Sequence, residues 1–266
     1  MRKKQPRTFT RCGRHANVWQ VLGQWYQTHL GSRVEAAEQE LLDGVLNNLF
    51  GYQLLHVGSI EQAAYHANSR IRHRTVMDIC ETTPASTTHC FYGQPQAIPV
   101  VTDTLDVVLL PHILEFSEQP HSVLREVERT LVPEGHAVIL GFNPLSVWSL
   151  WRWLIGWRGK IPWCGHFIST TRMKDWLSLL GFDVVETHYY FFRPPVQQET
   201  VLRKLHFLEQ MGRRIWPILG GGYVMLARKR VTTLTPIRPR WQPRRKLVTT
   251  GLVEPMSPHR KTKMEN

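Results

Sequence analysis

Two short apolar runs flanking one amphipathic stretch constrain this chain most: Val107–Pro111 (VVLLP) and Ala137–Phe142 (AVILGF). Between Thr104 and Pro144 the first run follows Asp106 and ends at His112. Leu124, Val127 and Leu131 then share one helical face, Pro133-Glu134-Gly135 breaks the helix, and the second run follows. Apolar runs this short and unbroken suit strands covered on both faces, and strand, helix, turn, strand is the repeating unit of a parallel α/β sheet. A chain of 266 residues with 42% apolar content can bury one full-sized core around such a sheet without disulfides.

The flanking sequence extends the pattern. Val18–Phe50 places Val21, Leu22 and Trp25, then Leu41, Leu42, Val45, Leu46 and Leu49, at helical spacing, which predicts two helices ahead of the sheet. Ser169–Leu180 predicts a helix with Ser169 or Thr170 as N-cap and Gly181 just past its end. Phe182–Phe192 and Tyr223–Arg228 predict strands, and Gln197–Ile215, with Val201, Leu205 and Leu208 on one side, a helix between them. No internal repeat is visible.

The order and chemistry of Thr104–Pro144 resemble the second half of a class I S-adenosylmethionine-dependent methyltransferase of the type 11 kind, in a bacterial branch. Asp106, His112, Glu126-Val127, Arg129, Leu131, Pro133, Gly135 and Asn143-Pro144 occupy the places of that family's fourth strand, helix and fifth strand. The resemblance implies a doubly wound, mostly parallel seven-stranded sheet with an antiparallel edge hairpin, and S-adenosylmethionine as cofactor. It sets His56, Gly58 and Ser59 at the first strand and its loop, where only one of the family's glycines is kept and Ile60 replaces the second. Glycines in such a loop let the main chain approach a ligand closely. Arg74–Ile79 reads as a second strand, with Asp78 about twenty positions after Gly58, where the family's carboxylate pairs with ribose hydroxyls. Gln94 stands in place of the acid that contacts the adenine amino group, a hydrogen bond that a Gln carbonyl can also accept. Pro111 and His112 complete the implied cofactor set.

Methyl transfer is an in-line displacement at a sulfonium carbon, so the protein mainly aligns a nucleophile and excludes water. His112 is the candidate base, with Glu115 one turn on; the other readings of His112 are a residue lining the cleft and one that merely packs. Asn143 either shapes a substrate pocket or ends a strand. Trp148 and Trp151 belong to a tryptophan-rich stretch, Leu145–Trp163, within an expected insertion at 145–168. That stretch reads as a substrate lid, as an in-plane membrane contact with Arg152, Arg158 and Lys160 facing headgroups, or as a helix packed on the sheet.

The formal charge of +12 resides in the ends. Met1–Arg14 carries six Lys or Arg and no acid, Val231–Asn266 carries eight against two acids, and residues 15–230 balance. Domain organisation follows: a basic N-terminus at 1–14, a methyltransferase-like domain at 15–230, and a basic tail at 231–266 too polar and Pro-rich to fold alone. Such tails either solubilise or attach the chain to RNA or an anionic membrane. Four scattered cysteines without a Cys-x-x-Cys pair argue for a reducing compartment and against structural zinc, and thirteen dispersed histidines indicate no metal. Neither a secretory signal nor a membrane span is legible, which predicts a cytoplasmic protein, with peripheral membrane attachment as a variant. The leading function is methyl transfer from S-adenosylmethionine to an unidentified small molecule, for which the tryptophan-rich stretch suggests an aromatic or lipid-like one. The competing one is an inactive methyltransferase-fold module bound to RNA or membrane through its tails. Oligomeric state is not legible.

Overall fold

The computed structural model describes residues 18–58, 65–79, 90–149, 161–195 and 216–231, together with 153, 209, 211, 212 and 214. Two helices, α1 (Val18–Tyr26) and α2 (His29–Leu46), lead into the sheet. The strands are β1 (Gln53–Gly58), β2 (His73–Asp78), β3 (Cys90–Tyr92), β4 (Leu105–Pro111), β5 (Leu131–Phe142), β6 (Phe182–Tyr190) and β7 (Gly222–Lys229). After β4 come a single turn, α3 (Ile113–Phe116), and α4 (Pro120–Thr130); α5 (Thr170–Leu179) precedes β6.

The seven strands lie in the order β3-β2-β1-β4-β5-β7-β6. Pairings among β1 to β5 are parallel, while β7 runs antiparallel to both β5 and β6. The chain winds outward from β1 to β3 and then returns to place β4 on the other side of β1. That reversal opens a crevice at the carboxyl ends of β1 and β4, where ligands of open α/β sheets bind.

Alternation along the strands builds two apolar layers. Leu54, Leu109, Val138, Leu140 and Phe142 face α1 and α2, meeting Leu22, Leu30, Val34 and Leu42. Leu55, Val57, Val108, Leu110 and Ile139 face the other way, meeting Val123, Leu124 and Val127 of α4 and Met173 and Leu177 of α5. Ser169 caps α5 by accepting from the Arg172 N–H, and Gly181 beyond its end takes φ +80°, a left-handed conformation that costs glycine little.

Polar ties fix the layers. Asp106 Oδ2 accepts from the Tyr52 and Gln53 N–H groups at 2.8 and 2.9 Å and so sets where β1 begins beside β4. Arg129 forms an ion pair with Glu126 one helical turn away at 2.8 Å. It also donates to the Ile98 and Val100 carbonyls, which makes this pair a staple for the segment after β3 as well as a helix-surface contact. Lys229 donates to Asp103 Oδ1 and to the Glu128 and Leu131 carbonyls, all within 2.9 Å.

Two sequence expectations change. Pro133-Glu134-Gly135 does not separate helix from strand; β5 already begins at Leu131, and the turn is absorbed as an irregularity in which β4 pairing steps from Leu105↔Leu131 to Val107↔His136. Glu134 takes φ 65° there, between the β4 pairings at Leu131 and His136 that bracket the irregularity. Cys164 is disulfide-bonded, against the reducing compartment expected from four scattered cysteines, because spacing along a chain says little about proximity in space. The expected helix at 197–215 falls mostly, and both basic tails almost wholly, outside the described residues. Among the described residues no helix is long and apolar enough to cross a membrane.

Candidate active site

Three strand ends meet at the crevice. Gly58 ends β1 in register with Asp78, which ends β2, and both are buried. The Asp78 carbonyl accepts from the Gly93 N–H at 3.1 Å, which holds the turn after β3 beside it. Pro111 closes β4 opposite Leu140, and His112 follows in the left-handed region at φ 54°. A non-glycine residue takes that conformation only where its surroundings fix it, and a strained residue at a strand's carboxyl end is a frequent mark of a site.

The surroundings of His112 are a buried polar cluster between the sheet and α2. His112 Nδ1 lies 2.6 Å from Glu115 Oε2, and Nε2 lies 3.1 Å from Glu38 Oε1, with all three side chains essentially inaccessible to solvent. Its ring stacks on Phe142 at a centroid separation of 4.2 Å. Burial alone would lower the imidazole pKa, but the carboxylates of Glu115 and Glu38 outweigh it and raise the value to about 10. That shift favours the imidazolium form, in which each nitrogen donates to a carboxylate. Burial pushes the Glu115 carboxyl up, against the pull of His112 and of the Phe142 N–H that bonds its other oxygen.

Glu38 gathers the rest. It accepts from Tyr65 Oη at 2.5 Å, Tyr190 Oη at 2.7 Å and Tyr26 Oη at 3.2 Å as well as from His112. Burial and then the charge of Glu38 hold all three phenols well above their usual range, so they remain donors. A carboxylate removed from water is tolerable when its lone pairs are filled in this way, and here two carboxylates flank one imidazolium. Beside the cluster, His56 on β1 is buried, with Nδ1 at 3.3 Å from His66 Nδ1. Burial, then the neighbouring His66, lowers its pKa to about 3, so it is neutral; its Nε2 has no partner among the described residues.

These contacts redefine several residues singled out from sequence. His112 has both ring nitrogens and Glu115 both oxygens engaged, so the base role finds no support in this geometry; both side chains are buried. Asn143 is a clamp rather than a substrate ligand. Its Nδ2 donates to the Ile218 and Gly220 carbonyls at 2.6 and 2.9 Å, and its Oδ1 accepts from the Leu145 N–H. Trp148 is a core residue: its ring packs among Phe142, Trp163 and Phe191 and its Nε1 donates to the Arg193 carbonyl at 2.9 Å. Gln94 sits exposed in a short turn bridged to Ala97, just beyond β3. Ser59, Ile60 and Trp151 lie outside the described residues.

Glu38, Tyr26, Tyr65 and Tyr190 were not singled out. Glu38 had a legible signal, since it falls on the apolar stripe Val34, Glu38, Leu42, Val45 of α2, where a charge needs a buried partner. The tyrosines come from three distant segments and carry no such mark. Among the described residues no group of three His, Cys, Asp or Glu could hold a metal ion.

Residues 46–139, from the end of α2 through β5, match the family model of the methyltransferase domain. That match to a methyltransferase domain covers the middle of the chain. Around it the sheet has the class I methyltransferase architecture, and S-adenosylmethionine is the cofactor that goes with this domain. A solved S-adenosylmethionine-dependent methyltransferase from Thermotoga maritima is similar in fold, at TM-score 0.59 and 14% identity over 80% of this chain and 99% of that one. Another from Mesorhizobium loti has TM-score 0.51 and 14% identity over 74% and 100%. In sequence the chain is 27% identical to the uncharacterized protein YafS of Escherichia coli (strain K12), over 79% of this chain and 82% of that protein.

The residues of the methyltransferase domain fit the cofactor. Asp78 supplies a carboxylate for a ribose diol, the backbone at Gly58 has no Cβ to hold a ligand away, and His56 offers a buried ring nitrogen without a partner among the described residues.

Proposed function

We propose that this protein is an S-adenosylmethionine-dependent methyltransferase whose acceptor is an apolar small molecule, aromatic or lipid-like. The observation that carries the reading is the pairing of Gly58 with Asp78 at the switch point of the sheet, next to the left-handed His112. Bound there, the cofactor supplies a methyl group on a positively charged sulfur. Asp78 orients the nucleoside through its ribose, and the buried cluster of Glu38, His112 and Glu115 holds the end of β4 rigidly against α2. Since His112 stays protonated near neutrality, this chain offers no imidazole base at the strand end; the reading is an acceptor that is nucleophilic in its own right, aligned in a site from which α1 and α2 exclude water. An apolar acceptor is supported by the exposed aliphatic side chains Leu145 and Val147, just beyond the carboxyl end of β5.

Calorimetric titration with S-adenosylmethionine and S-adenosylhomocysteine tests the reading. Saturable heat that Asp78→Ala abolishes is expected. No heat at millimolar ligand would leave the fold without this activity.

A further inference from the structure

The amino edge of the sheet, at the far end from the crevice, carries a patch that methyl transfer does not use. Phe50 and Tyr52, just ahead of β1, are 72 and 77% exposed, and the Arg70 guanidinium lies over the Phe50 ring, 5.7 Å from its centroid. Tyr52 and Arg72 stand one step ahead of the Gln53–His73 pair, and the His73 N–H donates to the Tyr52 carbonyl at 3.1 Å, which sets the two side by side. Arg70, Arg72 and His73 are all exposed. Two rings, each with an arginine beside it, therefore stand two positions apart on one edge.

Chemistry narrows the occupant. Every Leu, Ile, Val and Met of 47–58 and 65–77 is buried, so the large side chains presented to solvent are aromatic, cationic or amide. Neither stretch contains an acid. Asp106 beside them spends Oδ2 on the Tyr52 and Gln53 N–H groups, and Asp43 accepts from Asn68 at 2.8 Å. A second copy docked here would set arginine against arginine, and a bilayer would find no aliphatic side chain in these stretches to take up. An acidic polypeptide would satisfy the guanidinium groups and leave the two rings unmatched. A single-stranded nucleic acid matches both, with base faces for the rings and phosphates for the arginines. Unpaired bases are the ordinary state of RNA loops and ends, whereas duplex DNA keeps its base faces stacked.

We propose that this edge is a docking surface for single-stranded RNA, with Phe50 and Tyr52 stacking on successive bases and Arg70 and Arg72 holding the phosphates between them. The six residues of β1, about 17 Å of strand, separate it from the crevice at Gly58, so it anchors the chain to RNA and leaves the crevice free. The inference stands apart from the methyl-transfer reading, because RNA binding and cofactor binding are measured separately.

Fluorescence anisotropy of a labelled oligouridylate titrated with the full chain is the test. Phe50→Ala combined with Tyr52→Ala should weaken binding on the order of thirtyfold or more, since each stacked base is lost. Phe50→Tyr combined with Tyr52→Phe keeps both rings and should bind as the wild type does. Arg70→Gln combined with Arg72→Gln should reduce the slope of log affinity against log salt by about 1.4, the share of two phosphate contacts on a single strand. Arg125→Gln combined with Arg172→Gln removes the same charge from exposed positions on α4 and α5 and should leave that slope unchanged. Duplex RNA, whose base faces are covered, should not distinguish the double alanine variant from the wild type, and circular dichroism checks the fold of each variant. Oligouridylate affinity that survives the loss of both rings would assign binding to charge elsewhere on the chain and overturn the proposal. So would an absence of binding, equal effects of the two arginine pairs, or displacement of the RNA by polyglutamate at equal charge.

Discussion

His112 shows how far a residue's neighbours can move it from its type. A histidine after a strand reads as a base, but two carboxylates within 3.1 Å convert it into a fixed cation. Glu38→Gln removes one of them and leaves an amide facing three phenols and an imidazolium. We expect a loss of about 3 kcal/mol, read from urea unfolding, since breaking a buried ion pair leaves its partner uncompensated. The pH dependence follows from folded pKa values. His112, raised from 6.5 to about 10, stabilises the fold fully below its unfolded pKa, and that contribution is lost as pH rises through 10. His56, lowered to about 3, stabilises above pH 6.5, and its contribution falls as pH drops, by roughly 2 kcal/mol at pH 5. His56→Leu should flatten the acid limb of a plot of melting temperature against pH; an unchanged slope would refute the buried neutral state.

Among the elements, β1 and β4 carry most of the site, and one carboxylate sets their mutual start. Asp106→Ala frees the Tyr52 and Gln53 N–H groups at a partly exposed edge, where water can replace the lost acceptor. A cost of about 1–2 kcal/mol is expected, seen as a lower urea midpoint with an unchanged slope. The strands were legible because continuous apolar runs such as Val107–Pro111 leave few alternatives. β5 was legible only from Ala137 onward, since Pro133-Glu134-Gly135 has turn chemistry, and it is the pairing of Leu131 with Leu105 on β4, resumed at His136, that draws this stretch into the sheet. α2 was legible as a helix, while the purpose of Glu38 on its apolar stripe depends on where Tyr65, His112 and Tyr190 end up.

For the domain as one body, ligand linkage offers the broadest check. A cofactor held only by the folded state at a hundredfold excess over its dissociation constant should add about 2.7 kcal/mol, seen as a rise in melting temperature. Asp78→Ala should cancel the rise without lowering the melting temperature of the free protein by a comparable amount. Local sequence was enough for the α/β class, most strand positions and the caps of α5, because these follow from apolar periodicity and short-range backbone chemistry. The protonation of His112, the clamp made by Asn143, the burial of Trp148 and the meeting of exposed rings with arginines at one edge of the sheet required the folded chain. Each depends on groups brought together from separate elements, and burial sets both the strength of their charges and the partners they can reach.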